Sequence, residues 1–196
     1  MLMRLLPLLF CALSVLTQGA TLTQGERERA MSELHASRKM LIDATSGLSE
    51  KQLNWKSAPD RWSIAEVTEH LALTESFLFG FFKQVAAGPA DAAKKSTQKD
   101  EDILKTIRSR DQKLKAPEPA TPKHTFTKAA AALAAFKERR DGTISYVETT
   151  QDQDLRNKIV PNMNMDAYQL LLMMAAHTMR HCDQIAEVKG TEGYPK

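Results

Sequence analysis

The chain has 196 residues, of which 42% are hydrophobic and 26% charged, which is enough for one domain with a buried core. Eight glycines and eight prolines are too few for a fibrous or low-complexity protein. The formal net charge of +3 is small and no arginine-rich stripe with interleaved aromatic residues occurs, so the composition gives no argument for nucleic-acid binding.

The first twenty residues differ in composition from the rest of the chain. A short basic start, MLMR, precedes the apolar stretch LLPLLFCALSVL and the small and polar residues TQGAT. Because the stretch is too short to span a bilayer unaided, residues 1–20 are predicted to be a secretory signal peptide and residues 21–196 the mature domain. We therefore expect export, to the periplasm or outside the cell. The alternative is an uncleaved N-terminal anchor, through which alone the chain would contact a membrane.

Two long helical patterns follow, and no convincing strand pattern accompanies them. The first helix is predicted over residues 24–48, where apolar residues recur on one stripe. The second is predicted over residues 63–87 and ends before Gly88 and Pro89. Its start fits a capping box, in which the Ser63 hydroxyl caps the first turn and the Glu66 carboxylate reaches back to the Ser63 backbone.

The second half of the chain carries two more long helical patterns. A third helix is predicted over the alanine-rich residues 128–150 and a fourth over residues 165–189. The fourth has Asn164 as its predicted N-cap and Gly190 at its predicted C-terminal stop.

Four helices of similar length predict an all-α fold, a four-helix bundle. Short links join the first helix to the second and the third to the fourth, so the helices of each pair should run antiparallel. The polar, proline-dotted residues 88–127, with one short helix predicted over residues 101–114, are long enough for a crossover that leaves the second and third helices parallel.

Three of the five histidines fall on predicted core faces. His177 and His181 lie one turn apart on the fourth helix, and His70 lies in the apolar stripe of the second. Burying an imidazole costs a few kcal/mol unless it finds a hydrogen bond or a metal ion. Three such nitrogens can hold a divalent metal with a position left open, although a hydrogen-bonded polar core is the alternative. The zinc-protease motif H-E-x-x-H is absent.

The segments RWSIAEVTEHLALTE (61–75) and AAHTMRHCDQIAEVKG (175–190) resemble the DinB family of four-helix bundle proteins. The resemblance extends from about residue 24 to residue 189. It implies a long crossover and a divalent metal, zinc or nickel, held by His70, His177 and His181. Related members include thiol-dependent transferases and isomerases, but the fold by itself does not identify a reaction.

Three neighbouring residues are candidates for a role beside the histidines, and a fourth, Cys182, is not. Glu66 could orient a ligand or act as a general base, although the capping box explains it without any chemistry. Gln184 and Arg180 flank the histidine pair and could bind an anionic substrate. Cys182 lies about 100° around the helix from His181, so it is expected to be a small buried residue and no ligand.

Two functions are compatible with these residues. The first is a metal-dependent hydrolase or thiol-type transferase that acts on an unknown small molecule, with Glu66 moving the proton. The second is a non-catalytic exported bundle, whose histidines hold a structural metal or form a polar core while its surface binds a partner or forms a homodimer. A structural zinc site usually has a fourth protein ligand, and no obvious one is present.

Overall fold

The computed structural model describes residues 22–91, 93–150 and 154–196. The predicted signal peptide, residues 1–20, lies outside the described residues. Six α-helices are assigned in the described ranges: α1 Gln24–Thr45, α2 Glu50–Asn54, α3 Ile64–Ala87, α4 Asp100–Arg108, α5 Ala129–Thr149 and α6 Ala167–Gly190. The prediction of an all-α fold is confirmed, since only an isolated bridge between Ile159 and Asp166 has β character in this part of the chain.

Local capping explains where the helices begin and end. α1 ends three residues before its predicted end, because the chain turns at Gly47, whose φ of +72° favours glycine. The short helix α2 was not predicted; its N-cap is Ser49, which forms a capping box with Gln52. The prediction of Asn164 as the N-cap of α6 is wrong. Asp166 takes that role in a capping box with Gln169.

The C-terminal boundary of α6 also differs from the prediction. Gly190 is the last residue of the helix, and Thr191 is the C-cap, with its backbone N–H donated to the Val188 carbonyl. The predicted capping box at the start of α3 is present as expected, since the Ser63 hydroxyl accepts from the Glu66 N–H and the Glu66 carboxylate accepts from the Ser63 N–H.

The four long helices form a ring in which α1 packs against α5 and α6, and α3 packs against the same two helices. Each pair joined by a short link, α1 with α3 and α5 with α6, therefore lies diagonally across the bundle. Tyr168 at the start of α6 donates to the Glu26 carbonyl at the start of α1, and Lys189 at its end donates to the Ala44 carbonyl, so α1 and α6 are parallel.

The crossover sets the direction of the remaining helices. Arg139 donates to the Ala72 carbonyl and the rings of Phe82 and Tyr146 lie 5.3 Å apart, so α3 and α5 run parallel, as the long link predicts. Within the crossover, α4 packs on α6. The 3₁₀ turn Glu118–Ala120 packs against α3, which places the backbone of Ala120 beside His70.

A polar layer divides the core into two apolar clusters. One cluster is built from the N-terminal parts of α1 and α6 and the C-terminal parts of α3 and α5, and the other from the opposite halves of the same helices. On α1 the layer residue is Ser37, on α3 Glu75, on α5 Arg140 and on α6 Thr178. Within the described residues, no helix has the length and apolar character that a bilayer crossing requires.

Candidate metal site

α3 and α6 bring three imidazole rings together at one side of the polar layer. His70 lies two turns into α3 on its buried face and is 3% exposed. His177 and His181 lie one turn apart on α6, and their spacing of four residues directs both rings to the same side of the helix. The sequence prediction that these three histidines lie close together agrees with this placement.

The three Nε2 atoms converge on one point. His177 Nε2 lies 3.2 Å from His181 Nε2 and 3.4 Å from His70 Nε2. Three nitrogens bound to one tetrahedral zinc ion, at about 2.0–2.1 Å each, would lie about 3.3 Å from one another. One nitrogen from each ring lies within 4.8 Å of the others. Among the described residues, these three histidines are the group whose potential metal-ligand atoms lie this close together.

Two neighbours fix which ring nitrogen carries the proton. His70 Nδ1 lies 2.7 Å from the Ala120 carbonyl oxygen, which can only accept, so Nδ1 must donate. His181 Nδ1 lies 2.8 Å from Gln184 Oε1, and the Arg110 guanidinium donates to the same oxygen over 3.3 Å. Both rings therefore carry their proton on Nδ1, and both direct an Nε2 lone pair at His177.

This arrangement leaves more acceptors than donors at the point of convergence. The one ring proton of His177 can satisfy at most one of the two facing lone pairs. The hydroxyl of Thr74 lies 3.5 Å from His70 Nε2, at the limit of a hydrogen bond. Because an unpaired buried acceptor is unfavourable, the cluster fits a cation bound to all three nitrogens.

The electrostatics of the site keep the rings neutral. Burial lowers the pKa of His181 to about 3, and the repulsion that a protonated His70 would exert adds a smaller contribution. Burial and the neighbouring His181 lower the pKa of His177 well below its usual value. Burial also lowers the pKa of His70, although its hydrogen bond to Ala120 acts in the opposite direction. A neutral imidazole is the form that binds metal ions, so no proton has to leave at neutral pH.

The histidines form the floor of a cavity of about 380 Å³. Trp62, just before α3, covers one side, with its ring centroid 4.9 Å from that of His70 and 6.4 Å from that of His181. The opposite wall comes from residues of the crossover and from Phe77 and Leu78 on α3. The volume lies in the range of about 300–1,000 Å³ that is usual for small-molecule sites.

The structure does not bring Glu66 into this cavity. Its carboxylate accepts from the Ser63 N–H and from Lys56 Nζ, 3.0 Å away, and it lines a separate depression beside the start of α5. These contacts, despite partial burial, lower the pKa of Glu66. Glu66 is therefore part of the helix cap, and its carboxylate is not placed to act as a general base at the histidines.

The other candidates from the sequence take different positions. Gln184 orients His181, and Arg180 lines the cavity and donates to the Gln112 carbonyl of the crossover. Cys182 is buried in the apolar cluster, where burial raises the pKa of its thiol to about 12. It is not part of the histidine cluster, in agreement with the prediction.

Several residues of the site could not be found from the sequence. Ala120 contributes a backbone carbonyl, which leaves no side-chain signal. Asp60 and Trp62 lie in the connector before α3, and no helical pattern or motif in the sequence links them to the histidines. Their proximity to the histidines depends on how the connector and the crossover pack over α3 and α6.

Comparisons with known proteins agree with this architecture. The family model of the DinB superfamily matches residues 33–185, a span that contains all three histidines. The uncharacterized protein YuaE of Bacillus subtilis (strain 168) is 25% identical over 162 residues, which cover 81% of this chain and 96% of YuaE.

A solved structure shares the fold. YfiT from Bacillus subtilis superposes with a TM-score of 0.58 at 15% identity, over 89% of this chain and 92% of YfiT. It is described as a probable metal-dependent hydrolase with an unusual four-helix bundle topology. The match of the family model over most of the sequence, together with this fold, shows that the chain belongs to the DinB superfamily.

Proposed function

We propose that the protein is a metal-dependent hydrolase in which His70, His177 and His181 bind one divalent cation through Nε2. The observation that carries the proposal is the convergence of three Nε2 atoms, 3.2 and 3.4 Å apart, on the floor of a cavity. Nitrogen ligands of this kind suit zinc and nickel, and these are the ions that we propose.

An open coordination position distinguishes this proposal from a structural metal site. Structural zinc sites are usually closed by four protein ligands, whereas catalytic sites have three and leave a position for water or substrate. The cluster has three ligands among the described residues, and it faces the cavity. A cation bound there would supply Lewis acidity and generate a nucleophile from water near neutral pH.

The chain's own residues orient the ligands and line the substrate site. Ala120 and Gln184 accept the Nδ1 protons of His70 and His181, and thereby direct both Nε2 lone pairs inward. Trp62 excludes water from one side of the rings. Because Glu66 lies outside the cavity, we assign proton transfer to Asp60, the carboxylate among the described residues that line it.

The description of YfiT supports the choice of reaction. YfiT shares this fold and is described as a probable metal-dependent hydrolase, which makes hydrolysis of a small molecule the reaction that we propose here. At 15% identity the likeness shows the fold alone, so the proposal depends on the histidine geometry of this chain.

Metal analysis of two histidine variants tests the site. We expect one zinc or nickel ion per chain in the purified wild type and in the control His35→Ala, whose histidine is exposed on α1. His177→Ala should lose the ion. Hydrolysis of chromogenic esters and phosphoesters should disappear on chelation and in His177→Ala, and it should fall in Asp60→Asn with the metal retained.

Two results would contradict the proposal in different ways. A wild type that binds zinc no more tightly than His177→Ala does would show that the histidines form a polar core. Stoichiometric metal with no hydrolysis of any ester, amide or phosphoester, and no exchangeable water on the ion, would instead indicate a structural site.

Export is a separate proposal that rests on the composition of residues 1–20. N-terminal sequencing of the protein recovered from the producing cells tests it. A mature N-terminus near residue 20 is expected, and an intact Met1 would contradict cleavage.

A further inference from the structure

The walls of the cavity above the histidines carry an unbalanced positive charge. Five cationic side chains line it, against the single carboxylate of Asp60; the cations are Arg61, Arg110, Lys113, Lys115 and Arg180. The whole chain has 27 Lys and Arg and 24 Asp and Glu, a net charge of +3. The lining residues therefore carry a larger net positive charge than the whole chain does, and the charges of the remaining residues nearly cancel.

Most of this charge is uncompensated. Arg110 forms a two-pronged salt bridge with Glu187, both contacts at 2.7 Å. Lys113 and Lys115 are exposed and form no ion pair with a described residue. Arg180 is buried and donates to a backbone carbonyl instead of a carboxylate. Burial and the positive charge of Arg110 lower the pKa of the Arg180 guanidinium, and the carboxylates of Glu187 and Asp111 offset this lowering only in part.

Apolar side chains lie beside these cations. Phe77 is 49% exposed and Leu114 is 78% exposed, and among the described residues these are the large hydrophobic side chains that are most open to solvent. Both line this cavity, together with Leu78 and Trp62. An apolar patch rimmed by charge marks a ligand site more often than it occurs by chance on a soluble surface.

We propose that the cavity selects a small amphipathic organic anion as the substrate or product of the site. The anionic group pairs with Lys113, Lys115 and Arg180. The hydrocarbon part lies against Phe77 and Leu114. This inference rests on the proposed function, because it names the substrate class of the same cavity, but the charge selection belongs to the walls and is present with or without a metal ion.

Titration calorimetry with four probes of matched structure tests the selection. Octanoate has the charge and the chain, octan-1-ol the chain alone, acetate the charge alone, and octylammonium the opposite charge. Octanoate should bind about tenfold more tightly than octanol, since two to three cations each contribute up to a few-fold. Acetate and octylammonium should bind more weakly still. Raising the salt concentration should weaken octanoate binding and leave octanol binding unchanged.

Variants separate the two parts of the surface. The double variant Lys113→Gln with Lys115→Gln should weaken octanoate binding about fivefold without an effect on octanol. The matched control, Lys51→Gln with Lys128→Gln, removes two exposed lysines away from the cavity and should leave both unchanged. Leu114→Ser should weaken both ligands equally, because the apolar contact is common to them.

Each titration is run on metal-free and zinc-loaded protein, with metal content measured separately. A wild type that binds no metal would contradict the proposed hydrolase, yet octanoate selectivity in that protein would still support the inference. Equal affinity for octanoate and octanol would overturn it, and so would a preference for octanoate that appears only with zinc. A double lysine variant that behaves like its control would also overturn it.

Discussion

Two polar clusters are buried side by side in this bundle. In the first the donors and acceptors are paired, whereas in the second acceptors outnumber donors. In one, Arg140 is fully buried and forms a salt bridge with both oxygens of Glu75 at 2.7 Å. Its remaining donors reach Ser37 Oγ at 2.6 Å and Thr178 Oγ1 at 2.9 Å, and Thr143 donates to Glu75. Every helix of the ring contributes to this cluster, and its charges cancel.

The histidine cluster leaves its acceptors turned towards each other. His70 and His181 use their Nδ1 protons on outside acceptors and direct both Nε2 lone pairs at His177. Two helices build it, and it forms the floor of a cavity. A saturated cluster stabilises one arrangement of the helices, whereas a cluster with surplus acceptors is suited to bind a cation.

The largest expected effect concerns the saturated cluster. Arg140→Met leaves the Glu75 carboxylate buried without its partner, and we expect a loss of about 3–5 kcal/mol in the free energy of unfolding. Urea denaturation of the metal-free protein measures it. The control Arg29→Met removes a partly exposed partner of Glu101 and should cost less than about 1 kcal/mol. Equal losses in both variants would show that the buried cluster does not stabilise the bundle.

The histidine cluster should gain stability only from a ligand. Free zinc at about 100 times its dissociation constant should raise the free energy of unfolding by about 2.7 kcal/mol. His177→Ala should abolish that gain, because it removes one of the three converging ligand nitrogens. If zinc stabilises His177→Ala as much as the wild type, the ion binds elsewhere.

The pH dependence of stability in the metal-free protein should also reveal the burial of the histidines. An unfolded imidazole titrates near about 6.5, whereas burial lowers the pKa of His181 to about 3 in the folded chain. The unfolded chain therefore takes up a proton that the folded chain does not, and stability falls as the pH drops below about 6.5. For His181 the loss between about pH 7 and pH 5 is about 2 kcal/mol.

Urea denaturation at both pH values measures this loss. His181→Gln should flatten the dependence by removing one titrating group, and His35→Ala, which lacks an exposed histidine, should retain the wild-type slope. An unchanged slope in His181→Gln would mean that the ring is protonated in the folded state.

The smallest effect tests the groups that orient the ligands. Gln184→Ala removes the acceptor of the His181 Nδ1 proton, and we expect zinc affinity to fall about tenfold. Competition with a chromophoric chelator measures the affinity. Gln84→Ala, at an exposed position of α3, is the control and should have no effect. Full affinity in Gln184→Ala would show that the ring needs no acceptor to hold its orientation.

The fold was largely predictable because helix periodicity and capping are local properties of the chain. The apolar stripes, the Ser63 capping box and the long crossover predicted a bundle with parallel second and third long helices. The prediction of Asn164 as the N-cap was wrong, because Asp166, two residues later, has Gln169 at the spacing that completes a capping box. Competing caps of this kind cannot be ranked by sequence alone, since backbone geometry decides which one forms.

The site was predictable in part, for the same physical reason. His177 and His181 share a face because they lie on one helix, and His70 shared the core stripe of another. Glu66 was a candidate because it lies one turn before His70, but its cap and Lys56 hold its carboxylate away from the cavity. Helical spacing places a residue on a face, but side-chain partners decide where its functional atoms lie.

The sequence by itself determined the four long helices, their directions and the three inward-facing imidazoles, because these follow from a repeat of 3.6 residues and from link lengths. Only the tertiary structure decided that α1 and α3 lie diagonally across the bundle and that a carbonyl of the crossover orients His70. It also gathered five cations around one cavity. These features bring together residues that are far apart in the chain. Their geometry depends on how distant segments pack, which no local sequence pattern predicts.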